Sequence, residues 1–175
     1  MVEKKGLFNA SAARRFISDY DAAAVEKFVL EHEAIPYQEI KRVFCSTLIR
    51  SQLTAKAIFG EEPELIIDYN FREFERKIFS LPLVKLPIKV WLLTARMLWF
   101  LGFNSRDIET FKEARKRVKT GAAVLEKEAL EHNTAVLVAH GLLNNFIIWE
   151  LKRKGWILKL NGGRGFIGVT MLERV

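Results

Sequence analysis

The sequence has a single cysteine, Cys45, so no intramolecular disulfide and no thiolate-based zinc site can be assembled, which points to a reducing compartment. The start, Met-Val-Glu-Lys-Lys-Gly-Leu-Phe-Asn, lacks the apolar run of roughly 7 to 15 residues that a signal peptide needs, and a cytoplasmic location is expected. A transmembrane segment needs roughly 18 uncharged, mostly apolar residues. The most apolar stretch, Leu81 to Phe103, is interrupted by Lys85, Lys89 and Arg96 and broken early by Pro82 and Pro87. Internal repeats and low-complexity tracts are also missing. Acidic residues are outnumbered, 21 against 28 basic, and the net charge of +7 favours anionic partners. The basic residues are nevertheless dispersed through Arg14-Arg15, Arg115-Lys116-Arg117 and Lys152-Arg153-Lys154, without a nucleic-acid motif or interleaved aromatics. No specific nucleic acid is therefore expected.

What is present is a globular composition. Half of the residues are hydrophobic, 28% are charged, and 13 Phe with 4 Trp rule out an intrinsically disordered chain. With 175 residues the expectation is a single domain over residues 1–175 that buries about 70% of its extended surface without staples.

Hydrophobic spacing divides the chain into alternating strands and helices. Apolar residues from Ser11 to about His32 recur at helical spacing. The run Arg42-Val43-Phe44-Cys45 fits a buried strand, Leu48 to Phe59 a helix stopped by Gly60 and Pro63, and Leu65 to Tyr69 a second strand before a polar loop. Within Leu81 to Phe103 the three cations share one face of an amphipathic helix packed on the domain; Trp91, Trp99 and the flanking lysines leave a membrane-surface or partner-binding helix as the alternative. Asn104 with Asp107 is expected to cap a long helix through about Glu131, whose many charges form a solvated face. Ala135 to Ala139 is a fully apolar strand, Leu142 to Lys154 a helix, and Trp156–Leu160 with Phe166–Leu172 a hairpin. The expected class is α/β: three layers, with a mostly parallel sheet covered by helices on both faces.

In such sheets ligands bind beyond the carboxyl ends of the strands. Two polar groups fall there, Ser46 to Arg50 after one strand and His140 after another, each leading into a helix N-terminus that favours an anion. Arg50 offers a planar fork of donors to phosphate, and a protonated His140 would add charge. Asn144 and Asn145, in the first turn after His140, would either donate to a substrate or serve the helix end. Arg164 in the Asn161–Gly165 turn would form a backbone nest for an anion, although a hairpin explains those glycines more simply. His32 and His132 lie in helical contexts rich in Glu and read as surface residues.

The segment from Cys45 to Ala55 resembles the Ser-Pro-x-x-Arg-x-x-Gln-Thr-Ala signature of the histidine phosphatase superfamily, the phosphoglycerate-mutase-like enzymes. Phe71-Arg72-Glu73 resembles its acidic loop, and Val136 to Gly141 its second histidine motif. The resemblance runs from about Gly6 to Glu173. It implies a phosphoglycerate-mutase-like fold with a small helical cap over about residues 76–104, and phosphomonoester hydrolysis through a phosphohistidine. Carried over by position, Arg50, His140 and Asn144 would bind phosphate. His140 would complete the catalytic pocket and Glu73 would protonate the leaving group, with Glu75 as its alternative in the same loop. No metal or cofactor is implied, and the partner would be a phosphorylated small molecule or phosphate. The family's attacking histidine lies in an Arg-His-Gly motif on its first strand, and these residues hold neither. The expectation is therefore a chain inactive as written, with a non-catalytic phosphate-binding relative or a truncated fragment as the alternative. Met1 is expected to be a misassigned or engineered start, and an exposed sheet edge would favour a homo-oligomer.

Overall fold

The β-branched and aromatic run at residues 42–45 forms the centre of a parallel sheet in the computed structural model. The structure describes residues 6–22, 31–79, 81, 83–103, 106–163 and 167–174. In chain order the elements are β1 (Leu7–Phe8), α1 (Ala10–Ala22), β2 (Arg42–Cys45), α2 (Ile49–Phe59), β3 (Glu64–Ile67), β4 (Leu86–Pro87), α3 (Ile88–Phe100), α4 (Phe111–His132), β5 (Val136–Val138), α5 (Gly141–Arg153), β6 (Ile157–Asn161) and β7 (Thr170–Glu173). They fall into two compact units. Unit one holds residues 1–24 and 74–115, unit two residues 25–73 and 116–175. The expected insertion at about 76–104 lies inside unit one, which also takes in residues 1–24.

In unit two the strands run in the order β3-β2-β5, all parallel, with Val43 opposite Leu65 and Val136, and Cys45 opposite Ile67 and Val138. Side chains alternate across a strand, so Val43 and Cys45 share one face and Phe44 points to the other. Val43 and Cys45 form a core cluster with Ile40 and Ala55 of α2, against which Val136 and Val138 pack. Phe44 meets Phe71 edge-on at 5.8 Å on the far side. There a Cβ on Gly121 of α4 would already press on Phe71, 3.1 Å away, and on Ile147 of α5 at 3.4 Å. Helices thus cover both faces. Burial pushes the Cys45 thiol up, consistent with a core side chain. β6 and β7 form the expected antiparallel hairpin, with an irregularity between Leu158 and Leu160. Its turn has no room for a side chain at Gly162, where a Cβ would collide with the Val169 backbone. Arg164, the proposed anion ligand of that turn, lies outside the described residues.

Unit one is built around aromatic residues. Ala13 and Phe16 of α1, Ile78, and Ile88, Trp91 and Ala95 of α3 share a core cluster, while β1 pairs antiparallel with β4. The long helix α4 begins later than expected, at Phe111. Its cap is Thr110 with Glu113: the Glu113 N–H donates to Thr110 Oγ1 at 3.2 Å, and the Thr110 N–H donates back to Glu113 Oε2 at 2.8 Å. That reciprocal box holds the Glu113 carboxyl below its usual range. Asp107 instead adopts a left-handed backbone, φ 63°, and pairs with Lys77; Asn104 lies outside the described residues. α1 runs over Ala10–Ala22, and most of the remaining stretch to about His32, for which one or two helices are expected, falls on residues 23–30, outside the described residues.

Candidate functional site

Pairing Cys45 with Val138 brings the carboxyl ends of β2 and β5 side by side, so Ser46 and the residues leading to His140 emerge together. Ser51 fastens the two exits. Its Oγ accepts the Ser46 N–H at 3.0 Å and donates to the Val138 carbonyl at 2.5 Å. Ser46 is fully buried; its own Oγ accepts the Leu48 N–H at 3.1 Å, and Gln52 Nε2 donates to the Ser46 and Thr47 carbonyls at 3.4 and 3.3 Å. This small network fixes the turn that delivers Arg50 in the first turn of α2.

His140 precedes α5 in an extended conformation, and its carbonyl accepts the Asn144 N–H at 2.8 Å. Its ring is buried. Burial first, then the charges of Arg50 and Arg72, push its pKa down to about 3. The ring is therefore neutral at neutral pH, which corrects the expectation of a protonated His140: a third cation in a dry space beside two guanidinium groups is unfavourable. His140 Nε2 and Asn144 Oδ1, one helical turn apart, are both buried and have no hydrogen-bond partner among the described residues. Leaving such atoms unpaired costs about 1–3 kcal/mol each.

Arg72 arrives from a loop built in steps. Asp68 Oδ1 accepts the Asn70 N–H at 2.8 Å, starting the Tyr69–Phe71 turn, and the fully buried Phe71 anchors it against Phe44. Arg72 Nη1 then donates to Thr47 Oγ1 at 2.9 Å, tying the loop to the Ser46 turn. Behind it, Arg117 of α4 donates from Nη1 to the carbonyls of Tyr69, Asn70 and Arg72 at 3.3, 3.0 and 2.8 Å, with its guanidinium 5.3 Å from the Tyr69 ring centroid. Sequence reasoning assigned no role to Arg72 and placed Arg117 on a solvated face, yet Arg117 is only 8% exposed. The signal was its spacing: Arg117 sits three residues after Ala114 and directly before Val118, on the buried row of the helix.

The sequence pattern of the histidine phosphatase superfamily (branch 1) matches residues 26–158, well over half of the chain and a span that includes Arg50, Arg72, Glu73, His140 and Asn144. The chain belongs to that superfamily. A solved structure, that of the open reading frame Rv3214 from Mycobacterium tuberculosis, is 14% identical, with a TM-score of 0.47 over 75% of this chain and 69% of that one. No curated protein sequence matches.

Glu73 is half-buried next to Arg72 in unit two, whereas Glu75 falls in unit one, where its carbonyl accepts from Arg96 Nη1 at 3.3 Å. The two remaining histidines sit at the far end of the sheet. His132 bonds to Arg42, the first residue of β2, and His32 donates its backbone N–H at 3.2 Å to the hydroxyl of Tyr37, whose ring packs at a tilt against Phe59 at the end of α2. Neither reaches the strand ends that hold His140. Among the described residues β5 pairs only with β2, leaving its other edge open beside His140, and no three His, Cys, Asp or Glu side chains converge as metal ligands. No helix among the described residues is long and apolar enough to cross a membrane.

Proposed function

We propose that unit two carries a pocket for the phosphoryl group of a small phosphomonoester or for inorganic phosphate, and that these 175 residues bind it without hydrolysing it. The observation that carries this reading is the pair of unsatisfied atoms, His140 Nε2 and Asn144 Oδ1, beside two arginines. Arg50 and Arg72 would neutralise the anion through charge-assisted bonds. A half-turn of the Asn144 amide presents its NH2 group to a phosphate oxygen, and the neutral His140 ring donates from Nε2 in the matching tautomer. A dianion beside the two arginines would offset their charge, the smaller of the causes that keep the His140 ring neutral after burial. Glu73, in the same unit as Arg72, is the carboxyl suited to protonate a leaving alkoxide, in preference to Glu75. Transfer itself needs a histidine to attack phosphorus, and His32 and His132 sit at the wrong end of the sheet for that. A cytoplasmic setting, where phosphorylated metabolites abound and Cys45 stays reduced, fits this role.

The test is a titration with inorganic phosphate followed by thermal melting and calorimetry, alongside p-nitrophenyl phosphate turnover. Phosphate is expected to raise the melting temperature of the parent protein, and Arg50→Ala to weaken binding by about tenfold or more. Turnover should stay at background. If phosphate produces no shift in the parent protein, the pocket reading fails. Hydrolysis that disappears in both Arg50→Ala and His140→Ala would overturn the claim that this chain only binds.

A further inference from the structure

Helix α3 is apolar on two opposite faces, and unit one covers only one of them. Ile88, Trp91, Ala95 and Trp99 are buried, with the Trp91 and Trp99 indole N–H groups donating to the carbonyls of Phe8 at 2.7 Å and Glu109 at 2.6 Å. The tryptophans are thus interior anchors rather than the interfacial pair that the sequence suggested. The opposite row, at spacings of three and four, is Val90, Leu93 and Met97, continued past the helix end by Leu101; these are 40, 64, 51 and 64% exposed. At the two ends stand Leu83, fully exposed on a left-handed backbone (φ 65°), and Phe103, 80% exposed. From Arg76 to Arg106 the chain has six Lys and Arg residues and not one Asp or Glu. The cations of this segment that stay exposed without an acidic partner among the described residues include Lys85 and Lys89, next to the apolar row, since Lys77 pairs with Asp107 and Arg96 is buried.

We propose that this face lies on an anionic lipid bilayer, with the apolar row in the acyl boundary and Lys85 and Lys89 among the headgroup phosphates. An in-plane amphipathic helix binds by buried apolar area together with cation attraction to anionic lipid, and this face supplies both. Charge complementarity selects the bilayer over a second copy of the chain, because two such faces would bring lysines against lysines with no carboxylate to offset them. The proposal concerns unit one and is independent of the phosphate pocket.

The experiment is sedimentation of the full chain with phosphatidylcholine vesicles containing about 30% phosphatidylglycerol, against phosphatidylcholine alone. Binding is expected only to the anionic vesicles and is lost in about 0.5 M salt. Leu93→Glu with Met97→Glu should lower the bound fraction by about tenfold, and Lys85→Glu with Lys89→Glu should lower it similarly, since both pairs lie on the docking face. All four side chains are exposed, so the variants should melt like the parent; if the glutamate pair misfolds, Leu93→Ser with Met97→Ser gives the same reading. The proposal is overturned by equal binding to neutral vesicles, by no binding to anionic ones, or by binding that survives both pairs of changes. Binding lost instead with Arg50→Ala assigns the lipid phosphate to the pocket. A dimer that Leu93→Glu with Met97→Glu dissociates, in a protein that ignores vesicles, assigns the face to a second copy.

Discussion

In unit one the buried polar side chains end on backbone carbonyls: Trp91 on Phe8, Trp99 on Glu109, and Arg96 on Phe74 at 2.9 Å. Unit two uses the same device at Arg117, which serves three carbonyls, and at Ser51, which joins two strand exits. Yet at the start of α5 it leaves His140 Nε2 and Asn144 Oδ1 buried and, among the described residues, unpaired. A chain that satisfies its polar groups carbonyl by carbonyl elsewhere sustains an exception only where something other than stability sets the sequence. The exception coincides with two arginines whose charges already bear on His140. Unit one shows the complementary departure: its polar groups are paired while its apolar row on α3 is left uncovered. The first pattern calls for a polar ligand, the second for an apolar surface.

Acid should break the comparison most strongly. Unfolded His140 takes up a proton near pH 6.5, whereas the folded ring resists until about 3. The unfolded state therefore binds the extra proton across that window. The stability associated with the neutral ring is fully present above about pH 6.5 and falls as pH drops towards 3, by up to about 1.4 kcal/mol per pH unit. Urea unfolding at several pH values should show His140→Phe with a markedly shallower loss between those limits than the parent. Parallel curves would mean that the ring is not held neutral, and with that the electrostatic account of the pocket fails. The two buried arginines provide the next contrast. Arg117→Ala and Arg96→Ala should each cost about 2–4 kcal/mol, because each leaves buried carbonyls without donors. Only Arg117→Ala should also weaken phosphate binding strongly, since Arg72 and Glu73 ride on the loop it holds. Equal effects of both variants on phosphate affinity would erase the distinction between the units.

The core strands were legible because their signal is local: Val43-Phe44-Cys45 and the Ala135–Ala139 run are short, continuous apolar stretches with valine in each, and both fall in strands within or at the expected limits. The family was legible for a different reason, since the spacing of Cys45 to Ala55 and the His-Gly after β5 survive in the sequence itself. Boundaries set by side-chain capping were less visible. Asp107 had the right spacing from Asn104, but Thr110 and Glu113 offer a reciprocal pair and take the cap. Arg72 and Arg117 went unassigned because charge patterns are read as solvated by default, while their partners, the Thr47 hydroxyl and three loop carbonyls, are distant in sequence. The protonation of His140 was misjudged for a related reason. Its environment is set first by burial and then by Arg50 and Arg72, and both the burial and the approach of Arg72 come only with the fold.

The smallest expected effect is the most discriminating, because its sign separates a ligand site from ordinary structure. Asn144→Leu keeps the branched side-chain shape and removes an acceptor that is buried and unpaired among the described residues. Where a polar atom is unsatisfied, such a change should stabilise the free protein, by about 1 kcal/mol, and raise its melting temperature. The same change removes the amide that would meet a phosphate oxygen, so it should lower phosphate affinity as it raises stability. Stability gained and affinity lost in one variant is the mark of a residue retained for its ligand. If Asn144→Leu instead destabilises the protein and leaves phosphate affinity unchanged, the amide serves the start of α5, and the case for the pocket rests on Arg50, Arg72 and His140 alone.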